Sequence, residues 1–358
     1  LFHDGNTIST NGGNIGMAGG LDDGANGGTA SDGTPDGYAT SATSNISGVS
    51  IGRLNNAATA VTTIQSGGGD ILMRGKSTAG AGVGMGINYS YGGTLNAGTG
   101  TLTMLGESSS YAGIELDSWV GPSGTYLDIT AGTVNISGSS SNSSYHGLAS
   151  SQLSNRYARI TAGAGGIYLY GHNTANTAKG VEISLNATTT DGGNIMVESP
   201  NYVAIYGGAN AHSFNAGTGN TTLKTNTLSI GANHTLAGSG TLAIEPYAAG
   251  TTIGIAGGAG TLSLPASYFS TNFTNGFSGI TVGSATAGLV SVGGSALSYN
   301  DPLTLKTGNS IFFSTTSAVT GNNNALTLWT RAGGNDAAND GIDGSVWMPV
   351  GSSVNTGG

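Results

Sequence analysis

The chain has 358 residues, a net charge of −9 and no cysteine. Glycine supplies 66 residues and charged side chains only 8%, so the Ala/Leu/Glu/Lys background that surface helices need is missing. Nine Lys and Arg in all leave no basic groove, which excludes nucleic acid as a partner, and no apolar run approaches the roughly 18 residues of a membrane span.

The chain opens on Leu1-Phe2 without a signal-peptide pattern, as expected of a window cut from a longer precursor. Residues 21–43 are rich in Gly and Asp and predict a first excursion. A motif then recurs: a small-residue turn followed by an apolar-x-apolar triplet. Ser66-Gly67-Gly68 leads to Ile71-Leu72-Met73, Asn96-Ala97-Gly98 to Leu102-Thr103-Met104, and Thr130-Ala131-Gly132 to Val134-Asn135-Ile136. Thr161-Ala162-Gly163 leads to Ile167-Tyr168-Leu169, Asp191-Gly192-Gly193 to Ile195-Met196-Val197, and Asn215-Ala216-Gly217 more weakly to Leu223. Leu236-Ala237-Gly238 leads to Leu242-Ala243-Ile244, and Ala256-Gly257-Gly258 to Leu262-Ser263-Leu264. These motifs start 20 to 34 residues apart, the spacing of a solenoid. Further triplets follow at Ile280, Leu303 and Leu326.

Each triplet puts two apolar side chains on one face and a small or polar one on the other, the period of a half-buried strand. One such strand cannot bury its face alone, whereas stacked copies make a parallel sheet over a continuous apolar column. The interval 96–130 holds three triplets, at Leu102, Ile114 and Leu127. The fold class expected is all-β: a right-handed parallel β-helix (β-solenoid) of about 20–34 residues per coil, without helices of note. On the order of 13 coils at about 4.8 Å each give a rod roughly 60 Å long. Residues 1–358 read as one continuous segment, with loop excursions at 21–43, 138–156 and 332–344. The two ends resemble each other: an offset of 345 aligns Leu1-Phe2 with Val346-Trp347 and Gly12-Gly13 with Gly357-Gly358. Leu1, Phe2, Val346 and Trp347 are the expected end-to-end stacking residues.

The strings GGGDILMRG (67–75), NAGTGTLTMLG (96–106) and DGSVWMPVGSSVNTGG (343–358) resemble the repetitive part of filamentous-haemagglutinin-type bacterial exoproteins. The resemblance covers nearly the whole chain and implies a β-helical shaft on the surface of a Gram-negative bacterium, exported unfolded and serving adhesion or matrix formation. The secretion domain of that family, with its Asn-Pro-Asn motifs, has no counterpart in this segment. Partners implied are neighbouring repeats or copies of the chain end to end, and surface glycans or other cells.

Catalytic chemistry is not expected. Glycoside hydrolysis needs two carboxylates about 5 to 9.5 Å apart across a cleft, but the adjacent Asp22-Asp23 lie in a Gly-rich loop. Arg74-Gly75-Lys76 and Gly171-His172-Asn173 resemble parts of polygalacturonase signatures, in the wrong chain order and without the accompanying Asp cluster. His3, His146, His172, His212 and His234 are dispersed, and each is expected on the surface at a turn. No cofactor is expected. The weak calcium candidates are Asp336, Asp340 and Asp343, which with Asn335 and Asn339 crowd one loop; Asp22, Asp23, Asp32 and Asp36 form a second acidic group, and the bland reading of both is a solvated loop. Tyr168 and Tyr170 alternate with Ile167 and Leu169, so both phenol rings are expected to point outward as contact residues.

Overall fold

The computed structural model describes residues 5–25, 29–52, 61–80, 82–90, 92–116, 126–150, 158–177, 179–206, 211–331 and 344–357. Among the described residues the chain is nearly all β, with parallel pairing in sheets of 18, 7, 5 and 3 strands. The local cause is the triplet. In Ile71–Ser77, Thr101–Ser108 and Ile195–Ser199 the flanking apolar residues of each triplet (Ile71 and Met73, Leu102 and Met104, Ile195 and Val197) are buried and the residue between them is part-exposed.

Register follows the apolar column. Ile71 stands opposite Leu102, Leu102 opposite Val134, and Val134 opposite Ile167. The same ladder, here the second, continues through Ile195, Thr221, Leu242, Ile280, Leu303 and Leu326. A first ladder joins Thr7–Ser9, Thr62–Gln65, Gly93–Asn96 and the start of Leu127–Ser140. A third, the 7-stranded sheet, joins Val49–Ile51 and Ile87–Tyr89 to Ile114–Leu116, Leu148–Ser150 and beyond. Outward ion pairs mark the same register: Lys76–Glu107 at 2.7 Å, Asp128–Arg159 at 2.6 Å and Glu198–Lys224 at 3.0 Å each join residues directly opposite in a ladder. Such exposed pairs add little stability, but a slipped register would bring unlike rows together.

The corners are chemically specified. At Asn96-Ala97-Gly98 and Asn215-Ala216-Gly217 the glycine is left-handed, with φ of 61° and 57°. Its N–H donates to the Asn side-chain oxygen at 2.7 and 2.9 Å. Asn closes the turn and Gly tolerates positive φ. Asn355-Thr356-Gly357 repeats the device, with φ 75° and a 2.9 Å bond.

Three expectations need correction. The run 138–156 is not a loop throughout: Leu127–Ser140 is one strand, Leu148–Ser150 another, and only 141–147 turn between them, 151–157 lying outside the described residues. Ser77, Ser108, Ser140 and Asn173 form a buried polar column in ladder register. Ser140 Oγ donates to the Tyr111 carbonyl at 2.7 Å and Asn173 Nδ2 to that of Asn142 at 2.7 Å, so serine can occupy the interior. The Leu262 triplet is not the next rung after Leu242. It pairs with Ile253–Ile255, while Ile280 lies opposite Leu242. The intervening segment adds a short helical turn, Tyr268–Asn272, whose Tyr268 and Phe269 are buried. Finally, His146, His212 and His234 are buried and not surface residues; ladder position places two of them, as His212, in the strand His212–Asn215, stands opposite His234.

The segment after Met17 is tied down at both ends. Gly19 and Gly37 bridge at its base, and Ala39–Ser41 returns to pair with Gly75–Ser77. Residues 332–343 lie outside the described residues, as do Leu1 and Phe2.

Candidate interaction surface

Tyr168 and Tyr170 project from the outer face of the second ladder, between buried Ile167 and Leu169. Their rings lie nearly parallel, 6.4 Å between centroids. Tyr168 donates its hydroxyl to Glu198 Oε2 at 2.9 Å, and the other carboxylate oxygen accepts from Lys224 Nζ at 3.0 Å. Lys224 in turn sits 5.1 Å above the Tyr247 ring centroid. Both Tyr168 and Tyr170 are held above the usual phenol pKa, first by burial and then by neighbours that include the Glu198 carboxylate. The hydrogen bond to Glu198 raises Lys224. The result is an aromatic platform with its charges already paired.

The outer face of the third ladder carries a second polar group. Glu115 and Glu182 both stand opposite Ala149, one on either side. His146 Nε2 lies 2.5 Å from Glu182 Oε2, and Lys179 Nζ 3.3 Å from the same nitrogen. Glu115 Oε2 is buried without a hydrogen-bond partner, and burial pushes its pKa up to about 7. The two glutamates stand two strands apart in the ladder, with Ala149 between them.

At the C-terminal edge the pattern changes. Leu326–Trp329, Val346–Trp347 and Ser353–Asn355 are the last strands of their ladders among the described residues. Trp329, Val346 and Trp347 are exposed, Trp347 by 62%, its ring edge-on to Phe312 at 5.0 Å.

Asp336, Asp340 and Asp343, the sequence-stated calcium candidates, lie outside the described residues. Among the described residues no group of three His, Cys, Asp or Glu is placed to hold a metal, and no helix is long and apolar enough to cross a membrane. Chelation with EDTA is expected to leave the far-ultraviolet β signal and its thermal midpoint unchanged, because the ladders rest on apolar columns. Collapse of the signal on chelation would show a structural cation. No protein-family model, curated protein or solved structure matches the chain.

Proposed function

We propose that the ladders wind into a right-handed parallel β-helix and that the chain is a stretch of a non-enzymatic, extracellular shaft on a bacterial surface. One observation carries the reading. Between Leu102 and its ladder partner Val134 the chain visits the third ladder at Ile114 and the first at Leu127. It thus returns to the second ladder one strand further along. Right-handed crossover is the strong preference for parallel connections. The sequence resemblance to filamentous-haemagglutinin-type exoproteins favours a secreted fibre that adheres to cells or glycans.

The exposed apolar last strands suit a further coil, from the same polypeptide or another copy, because an open ladder edge is an unpaired row of backbone donors and acceptors. The turn at Asn355–Gly357 supports this. At Asn96 and Asn215 the same turn leads into the second-ladder strands Thr101–Ser108 and Thr221–Thr225, and the second-ladder strand left open at this edge is Leu326–Trp329. Two copies joined head to tail are expected to appear in electron micrographs as one straight rod of doubled length. Two short rods meeting at a variable angle contradict the reading.

A further inference from the structure

Residues 29–36 fold over the outer face of the second ladder and leave a cleft of about 290 Å³ beneath them. Its floor is Leu72 with Gly16 and Thr103 on either side, three residues in one register row. Its walls and mouth carry Asp32, Thr34, Asp70 and Thr101. The size is at the low end for small-molecule pockets, room for one sugar ring.

Gly16 makes the hollow. Its row positions otherwise carry side chains, and its backbone is ordinary strand, absent from the left-handed glycines. A Cβ there would meet only Thr34 Cγ2, at 3.7 Å. Neither backbone conformation nor crowding requires glycine, yet any larger side chain would fill the cleft.

The polar groups are held in place. Asp32 Oδ1 accepts the Thr34 N–H at 2.8 Å, and Asp70 Oδ1 accepts the Thr101 N–H at 2.7 Å. These bonds fix each carboxylate by one oxygen and leave the other as an acceptor. The wall is anchored as well: Asp22 accepts the Gly33 N–H at 2.7 Å. Buried Asp36 pairs with buried Arg74, their side chains 3.8 Å apart. A preformed site of this kind binds without an ordering cost.

We propose that this cleft binds one sugar residue of a surface glycan, its ring face on Leu72 and two hydroxyls on the outer oxygens of Asp32 and Asp70. The inference deepens the adhesive reading and rests on it for the source of the ligand. A sugar offers hydroxyl donors to carboxylates that can only accept, and a C–H face to the leucine. A divalent cation fits less well, since it needs six or more oxygens and the centre of the floor is the Leu72 side chain.

The test is saturation-transfer NMR of the whole chain with methyl glycosides of glucose, galactose, mannose, fucose and N-acetylglucosamine, and calorimetry with calcium chloride as the second probe. At least one glycoside is expected to bind wild type and Thr281→Ala alike. Its affinity should fall about tenfold or more in Gly16→Leu and in Asp32→Asn, as expected for loss of the space itself or of a charge-assisted hydrogen bond. Circular dichroism identifies any variant that fails to fold, and Asp32→Asn carries the test if Gly16→Leu does. No glycoside binding at millimolar concentration, binding that survives both substitutions, or calcium binding alone would overturn the proposal. Rod formation is measured separately, so loss of the sugar site leaves the shaft reading standing.

Discussion

Leu242→Asp is expected to destroy the local fold. Leu242 is fully buried, with Thr221 and Ile280 directly opposite on either side. An aspartate there has no cation among those neighbours and only the Thr221 hydroxyl as a donor, and a buried charge without a counter-charge is strongly disfavoured. The expected loss is on the order of 4–5 kcal/mol or more, at the far end of single-substitution effects. Leu262→Asp should act similarly, since Leu262 is fully buried against Ile253. Ala243→Asp is the control. Ala243 points outward beside Leu242, and a surface change should stay within about 0.5 kcal/mol. Thermal melts followed by circular dichroism read all three. A Leu242→Asp protein with the wild-type midpoint would mean that the assigned facing is wrong.

Acid is expected to weaken the same region through His234. Its side chain is fully buried, both ring nitrogens lack hydrogen-bond partners, and Phe214 lies edge-on at 4.6 Å. Burial, with a smaller contribution from His212, lowers its pKa to about 3. The unfolded chain takes up the proton near the ordinary imidazole pKa of about 6.5, whereas the folded chain does not until about pH 3. The stability this neutral state contributes is therefore fully present above pH 6.5 and lost as pH falls from there towards 3. The slope is about 1.4 kcal/mol per pH unit, reaching roughly 4–5 kcal/mol at the lower limit. His234→Leu keeps an apolar contact with Phe214 and removes the titration. The midpoint difference between variant and wild type should be level from pH 7.5 to about 6.5 and widen steadily from there to pH 4. Parallel pH profiles would show that His234 does not titrate across folding. Glu115 works in the opposite sense: its raised pKa favours the fold below about pH 4.5, and that contribution fades as pH rises to about 7.

The strands were legible wherever aliphatics alternate with small polar residues. Leu102-Thr103-Met104, Ile114-Glu115-Leu116 and Leu127-Asp128-Ile129 each form a strand, in three different ladders. Serine misled because its meaning depends on the neighbouring rung. Ser140 is interior only because the Tyr111 carbonyl is within reach. His234 misled for the same reason, since imidazole in an apolar column leaves no local signature. The Leu262 triplet is identical in pattern to Leu242, and only the aromatic segment Tyr268–Asn272 after it separates their fates. The cleft was illegible because its parts, Gly16, Asp32, Asp70 and Thr103, are distant in sequence and meet through register and a returning loop. Of the surface residues, the outward direction of Tyr168 and Tyr170 follows from alternation, whereas their link to Glu198 and Lys224 needs the ladder.

Another coil is expected to stack on Leu326–Trp329, Val346–Trp347 and Ser353–Asn355, the last strands of their ladders among the described residues. A cryo-electron-microscopy structure of two copies joined head to tail tests it directly. Parallel pairing at about 4.8 Å should run through the junction unbroken, with Trp347 and Val346 covered by the second copy. A helix or loop folded over that edge, leaving the copies as separate capped bodies, would contradict it.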